Sequence, residues 1–193
     1  RIRRLCGDLL RRLGDLLAAD KDHLAAGMTR EMGKVLAETR GDVQEGIDTA
    51  YYAASEGRRL FGRTAPSELR AKWAMSWRRP IGVCGLITPF NFPLAIPTWK
   101  MFPALVCGNT VVLKPSEDVP WTAHRLVELA REAGFPPGVI NLVFGSGAEV
   151  GAAALGSPEL AGVHFTGSTS VFHSIWRTIG GGIDRYRNYP RIV

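Results

Sequence analysis

The chain has 193 residues, enough for one domain with a proper core, and 46% are apolar against 22% charged, the balance of an ordinary globular protein. The net charge of +6 comes from 24 basic and 18 acidic residues, and the excess is local: residues 58–80 hold Arg58, Arg59, Arg63, Arg70, Lys72, Arg78 and Arg79 against Glu68 alone. Trp73 and Trp77 interleave with these cations, but no groove-binding or single-strand motif accompanies them, so a solvated cationic strand or loop is expected and a nucleic-acid partner is not. Cys6, Cys84 and Cys107 are odd in number, scattered and set in apolar company. That pattern predicts inert buried thiols, no metal site and a reduced, cytoplasmic protein. Residues 80–99 carry no charge, yet Pro80, Pro89, Pro93 and Pro97 exclude a membrane-spanning helix, and no signal peptide is evident. The chain opens at Arg1 inside a helical pattern and closes at Val193 without a stop signal, so both ends read as cut.

Taken in order, residues 1–19 carry a helical apolar stripe of Ile2, Leu5, Leu9, Leu13, Leu16 and Leu17 opposite Arg3, Arg4, Arg11 and Arg12. Asp20 or Asp22 suits the cap of a second helix, Lys21 to Met32, ended by Gly33. A third helix is predicted from about Leu36 to Leu60, with Val43, Ile47, Ala50, Tyr51 and Ala54 on one face. Residues 71–79 alternate, with Trp73, Met75 and Trp77 facing one way, as in one half-buried strand. Next come a strand at Ile81–Ile87, the proline-rich turn TPFNFP, a helix opened by Pro93 and closed at Cys107–Gly108, and a strand from Thr110 that delivers Lys114. A helix over Trp121–Ala133 ends at Gly134, a strand spans Val139–Phe144, and GSGAEVG opens a helix to about Leu155. Leu160–Phe165 is a strand, followed by a helix from Thr169 to about Ile179, with Gly180–Gly182 read as a break. Strands alternating with helices from residue 110 onward predict an α/β fold with a parallel sheet covered on both faces.

The residues alone leave several chemical readings open. Asn91, between Pro89 and Pro93, either closes the turn by bonding local backbone or offers its amide N–H groups to a developing oxyanion. Lys114 and Glu117 leave the carboxyl end of a strand, where ligands bind in open α/β sheets, and suit either ribose hydroxyls or a surface ion pair. GSGAEVG follows a strand and opens a helix, as a dinucleotide fingerprint does, but its spacing is one residue longer than G-x-G-x-x-G. Gly167 and Ser168 of FTGST present N–H groups to an anion or make an ordinary N-cap. A lone helical lysine such as Lys100 is usually solvated, and His23, His124, His164 and His173 read as structural or surface residues.

Four motifs in register, PFNFP, the W-K that follows it, GNTVVLKPSE and FTGST, resemble the aldehyde dehydrogenase superfamily over nearly the whole chain. The resemblance implies an incomplete Rossmann-like fold: an N-terminal helical part of the cofactor domain over 1–70, an oligomerisation-type strand over 71–79 and an NAD(P)-binding part over 80–193. It places Asn91 on the family's oxyanion asparagine and Lys100 near the catalytic water path. It assigns cofactor contacts to Ile87, Thr88, Pro89 and Phe90 after the first strand of that part, and to Lys114, Ser116 and Glu117, with the lysine and the acid on the adenosine ribose. Gly145 and Gly147 would allow the adenine close approach, and Phe165, Thr166, Gly167 and Ser168 would meet the pyrophosphate. An acid at position 117 points to NAD, with NADP possible. An isolated copy would expose Trp73 and Trp77, and a complete protein would form a homo-oligomer.

The family's reaction uses a cysteine thiolate to attack an aldehyde and a glutamate in an E-x-G-G-K stretch to activate water. The chain shows neither motif, and Cys6, Cys84 and Cys107 do not match the nucleophile's position. It corresponds to roughly the front two-fifths of a family member. The run HSIWRTIGGGIDRYRNYPRIV resembles the glutamate-semialdehyde (1-pyrroline-5-carboxylate) dehydrogenase branch, whereas TREMGK, EGRRLFG and PFNFPLAIP resemble general or semialdehyde-type members. The expected function is NAD(P)-dependent oxidation of an aldehyde or semialdehyde to an acid, with this chain alone inactive. The alternatives are a fragment that acts only in association or weak nucleotide binding, and a CoA-acylating or phosphate-ester reaction of the same superfamily.

Overall fold

The computed structural model describes residues 2–193, with side chains from Arg4 onward, so Arg1 and the side-chain positions of Ile2 and Arg3 in the first stripe lie outside the described residues. Three helices open the chain: α1 (Ile2–Ala19), α2 (Lys21–Met32) and α3 (Leu36–Glu56). On α1, Leu9, Leu10, Leu13 and Leu17 are buried while Leu5 is exposed, so the stripe turns by one position from the one expected. Two small residues set how closely α1 and α3 cross: a Cβ on Gly7 would meet the Ala54 carbonyl oxygen at 2.8 Å, and one on Gly14 would meet the Tyr51 ring at 3.0 Å. Tyr51, expected in the core of α3, is exposed, and its hydroxyl donates to Asp15 instead. Gly33 ends α2 in the left-handed region, at φ 78°. Asp20 does not cap α2; its carboxylate accepts from the Arg125 guanidinium at 2.8 Å.

The hairpin strands β1 (Thr64–Pro66) and β2 (Trp73–Met75) pair antiparallel with each other and, among the described residues, with no other strand. The half-buried strand expected over 71–79 is therefore shorter and exposed on both faces, and Trp73 (82% exposed) and Trp77 stand in solvent. Isolated two-stranded ribbons rarely bury a face, because nothing packs behind them.

The remainder alternates: β3 (Val83–Ile87), α4 (Ala95–Val106), β4 (Thr110–Lys114), α5 (Pro120–Ala133), β5 (Ile140–Leu142), α6 (Gly147–Gly156), β6 (Leu160–Phe165), α7 (Thr169–Gly181) and β7 (Arg191–Ile192). The strands form one parallel sheet in the order β5-β4-β3-β6-β7. Strand order reverses between β3 and β6, the switch point of a doubly wound sheet. Three local expectations are corrected. Pro93 lies in the turn before α4 rather than in its first turn, α7 runs through Gly180 and Gly181 without a break, and residues 191–192 add an edge strand.

Alternation along β3 sends its side chains to two cores. Cys84 and Leu86 join Phe102, Leu113, Leu126 and the buried leucines of α1 in the larger core, so α4, α5 and the N-terminal helices share one side of the sheet. Leu155, Leu160, Val163, Ile175 and Ile179 form a smaller core beneath α6 and α7 on the other. Among the described residues, no helix is long and apolar enough to cross a membrane.

Two carboxylates from the N-terminal helices fasten the helices of the sheet. Glu31 accepts from the Trp121 and Thr122 backbone N–H groups at 2.5 and 3.1 Å and from the Thr122 hydroxyl at 2.6 Å, capping α5. Asp42, only 1% exposed, accepts from the Ala95 N–H at 2.7 Å, capping α4. Each satisfies orphan donors at a positive helix end. Burial pushes the Asp42 carboxyl up from 3.8 to about 6, against the opposing pull of the Ala95 N–H and the Lys34 ammonium.

Two outcomes follow. Glu31→Ala should lower stability by about 1–3 kcal/mol in urea denaturation, because the α5 N–H groups lose their acceptors. Between pH 3.8 and about 6 the folded state keeps a proton on Asp42 that the unfolded chain releases, so this group's contribution falls as pH rises through that window. Denaturation midpoints from pH 4 to 7 should show a downward slope that Asp42→Asn flattens.

Candidate functional site

The carboxyl ends of β3, β4 and β6 are stitched together by backbone bonds. The Thr88 N–H donates to the Lys114 carbonyl at 3.2 Å, and the Thr166 N–H donates to the Ile87 carbonyl at 3.0 Å. The expected site residues gather along this edge, but they divide between the two faces of the sheet.

On the α6–α7 face lies a cavity of about 480 Å³, lined by Gly85 and Ile87 of β3, Lys114 of β4, and small residues of α6. Gly147 and Gly151 both line it, and a Cβ on either would meet no atom within 4 Å, so the glycines leave a flat, shallow wall. Gly145 is not on the wall; at φ 140° it makes the turn that only glycine adopts readily, just before the Ser146 N-cap. Along α7 the cavity is lined by Val171, Ser174, Ile175 and Thr178. Sequence reasoning did not single these out, although the apolar i, i+4 pair Val171–Ile175 was visible.

Lys114 is 8% exposed, and its ammonium sits 2.8 Å from Glu117, which stands largely in solvent. The lysine holds the Glu117 carboxyl below its usual range. The ion-pair geometry is thus present at the cavity rim, with the Glu117 carboxylate accessible beside it. Ser116 turns instead to Asp118, donating to it at 3.0 Å. Phe165 stacks on Phe172 with ring centroids 6.2 Å apart, and a Cβ on Gly167 would meet the Phe165 ring at 2.5 Å. Ser168 is the N-cap of α7, accepting from the Val171 N–H at 3.4 Å, so its hydroxyl performs the ordinary capping role while Thr166, Gly167 and Ser168 remain exposed.

On the α4 face stand Asn91 and Lys100. The turn after β3 leaves Asn91 exposed and Phe90 55% exposed, with Pro89 half-buried between them and the strand. Among the described residues the Asn91 side-chain amide makes no hydrogen bond; only its backbone carbonyl is engaged, accepting from the Lys34 ammonium at 3.2 Å. The turn-closing alternative for this amide therefore has no bond to support it. Lys100 is buried, and desolvation lowers its amine from 10.5 to about 8. His164, read from sequence as structural or surface, is half-buried, and its pKa is lowered by burial and by the nearby Lys100 charge. The register Leu86↔His164 puts it on the same face as α4.

Thr88 joins the two faces. It is buried, and among the described residues its hydroxyl oxygen has no hydrogen-bond partner. A nicotinamide dinucleotide fits these features: a flat glycine wall and an apolar cavity for a ring, a lysine–carboxylate pair for hydroxyls, and a hydroxyl and free helix-start N–H groups along the sheet edge. The two thiols whose titration is shifted are raised by burial, Cys6 and Cys84, the opposite of an activated nucleophile.

The sequence matches the model of the aldehyde dehydrogenase family over residues 5–187. It is 47% identical to mitochondrial succinate-semialdehyde dehydrogenase of Arabidopsis thaliana over 163 residues, 84% of this chain and 31% of that protein. An NADP-dependent enzyme of E. coli superposes with a TM-score of 0.92 at 38% identity, covering 95% of this chain and 38% of the other. A betaine aldehyde dehydrogenase of Staphylococcus aureus in complex with NAD+ superposes with a TM-score of 0.93 at 32% identity, covering all of this chain and 38% of that one. The chain thus spans about a third of the length of the proteins it matches. With the family model spanning almost all of it, and a fold that superposes over its full length, the chain belongs to the aldehyde dehydrogenase family.

Proposed function

We propose that this chain is the cofactor-binding part of an NAD(P)-dependent dehydrogenase that oxidises an aldehyde to a carboxylic acid. The observation that carries the reading is the cavity between α6 and α7 whose glycine wall ends at the Lys114–Glu117 pair. Gly147 and Gly151 would hold the adenine, Lys114 and Glu117 the adenosine ribose, and the N–H groups of Gly167 and Ser168 the pyrophosphate. Ile87, Thr88, Pro89 and Phe90 would contact the cofactor where it crosses the sheet edge to the α4 face, with Ser116, Phe165 and Thr166 beside them. Gly145 acts by shaping the turn before α6. Held by these residues, a nicotinamide cofactor would supply the hydride acceptor for oxidation of the aldehyde.

On the α4 face, Asn91 donates an amide N–H to the aldehyde oxygen as negative charge grows there, a role for which its unbonded side chain is free. Lys100, with its depressed pKa, stands near the water that supplies the acid's second oxygen. The nucleophile and general base come from outside these 193 residues, which leaves this chain inactive alone. Glu117 favours NAD over NADP, because a carboxylate repels a 2′-phosphate. Small semialdehydes are the favoured substrate class, in keeping with the 47% identity to a succinate-semialdehyde dehydrogenase. The run at residues 183–193 extends this to glutamate semialdehyde by resemblance, though here it builds the β7 edge, where Tyr186 donates to the Leu155 carbonyl at 2.5 Å. The hairpin with Trp73 and Trp77 takes part in homo-oligomer formation in the complete protein. We place the division between the helical part, the hairpin segment and the nucleotide-binding part at residues 70 and 80.

Titration of the purified chain with NAD+, followed by tryptophan fluorescence, tests the cofactor site. Saturable binding is expected, and Lys114→Ala should weaken it at least about tenfold, the scale of one hydrogen bond from a charged donor, with little change in melting temperature. Unchanged affinity beside a large melting shift would remove Lys114 from the site. In a protein that joins this chain to a catalytic half, Asn91→Ala should lower turnover on the order of a hundred- to thousandfold while leaving NAD+ affinity intact. Unchanged turnover would refute the oxyanion role.

A further inference from the structure

In the loop that carries Asn91, Phe92 stacks on Trp99 with ring centroids 6.5 Å apart and prolines stand at positions 89 and 93, but no hydrogen bond from within the loop holds Asn91 among the described residues. Phe90, Asn91 and Phe92 form a bend, and the Phe92 carbonyl accepts from the Ile96 N–H at 3.2 Å. The Asn91 carbonyl is held from a distant part of the chain, by the Lys34 ammonium at 3.2 Å. Lys34 follows the left-handed Gly33 that ends α2, and its ammonium also lies 3.6 Å from the centroid of the Phe92 ring. Behind it stands Asp42. One Asp42 oxygen accepts the Ala95 N–H, and the other has no hydrogen-bond partner among the described residues and sits 3.9 Å from the Lys34 ammonium. The Asp42 side chain is fully buried and that of Lys34 is 13% exposed, so this attraction is little screened by water.

We infer that Lys34, held in place by the Asp42 carboxylate, is a positioning residue that fixes the backbone of the Asn91 loop and so aims the amide. The inference rests on the oxyanion role proposed for Asn91 but is read by a different measurement. Asp42 serves two ends with its two oxygens. One fixes where α4 begins, and the other anchors the cation that grips the loop just before it. The amide itself needs to stay unbonded until a carbonyl oxygen arrives, so its aim is set through the main chain and the neighbouring ring. A cationic side chain suits this task, because its charge lies within reach of the carbonyl, the ring face and the carboxylate together.

Nuclear magnetic resonance relaxation on the 193-residue chain tests it. In the unaltered chain the Asn91 backbone should have an order parameter near about 0.85, and in Lys34→Met it should fall below about 0.6. Lys34→Arg, which keeps the charge and the contact with the ring, should restore most of the order. Asp42→Asn keeps an oxygen for the Ala95 N–H and removes the charge, so Ala95 should stay protected from exchange while Asn91 loosens as in Lys34→Met. An Asn91 that stays rigid in Lys34→Met overturns the inference. Loosening that arginine does not reverse also overturns it, since the lysine stem would then be acting by packing. If Lys34→Met disorders the whole chain, Asp42→Asn decides, and a rigid Asn91 there overturns the inference. Loss of Asn91 order in these variants, beside unchanged turnover in Asn91→Ala, would remove the oxyanion reading and leave the clamp standing.

Discussion

Much of this structure depends on a carboxylate buried between two layers. Asp42 projects from α3 into the start of α4 and accepts the Ala95 N–H at 2.7 Å. A helix N-terminus is a fixed source of positive potential with unbonded donors, and burying it without an acceptor is costly. Here the acceptor comes from a helix about fifty residues earlier in the chain, and Glu31 repeats the device at α5. These bonds locate the N-terminal helices against the carboxyl end of the sheet, where the loops after β3 and β4 emerge. The cost appears in Asp42 itself, whose carboxyl burial pushes to about 6.

The parallel sheet then decides where chemistry is possible. Because strand order reverses between β3 and β6, the loops after these strands diverge to opposite faces and leave a crevice. Successive residues of a strand point to opposite sides, so Leu86 and Ile87 enter different cores although they are neighbours in sequence. Lys114 faces the α6–α7 cavity while Lys100 sits on α4 behind the sheet. A ligand that reaches both must pass over the carboxyl edge at Thr88 and Thr166. A dinucleotide has the length for that crossing, and its two halves call for different surroundings: a flat apolar slot for one ring and an open, polar approach for the other.

The motifs in this sequence carried more than its periodicities did. PFNFP, LKPSE and FTGST marked the family and the turns at the carboxyl ends of the strands, because glycine, proline and strand-end polar residues answer to local geometry that few other residues satisfy. The helix ends at Gly33 and Gly134 were legible for the same reason, both adopting positive φ. Side chains whose roles depend on distant partners were not. Asp20, one of two residues read as a cap, instead binds Arg125, and Tyr51, read with the apolar face of α3, instead bonds Asp15. The edge strand at Arg191–Ile192 was missed because two residues carry no period, and they became a strand only when β6 offered its free edge.

The sequence by itself determined the family and the alternation of strands and helices, since these rest on residue type and short-range spacing. Only the tertiary structure decided which face of the sheet each candidate site residue occupies, that Gly147 and Gly151 form a cavity wall, and that Lys34 and Asp42 hold the turn that carries Asn91. Contacts between residues tens of positions apart depend on how layers pack, and packing follows from the shape of the whole core rather than from any stretch of chain.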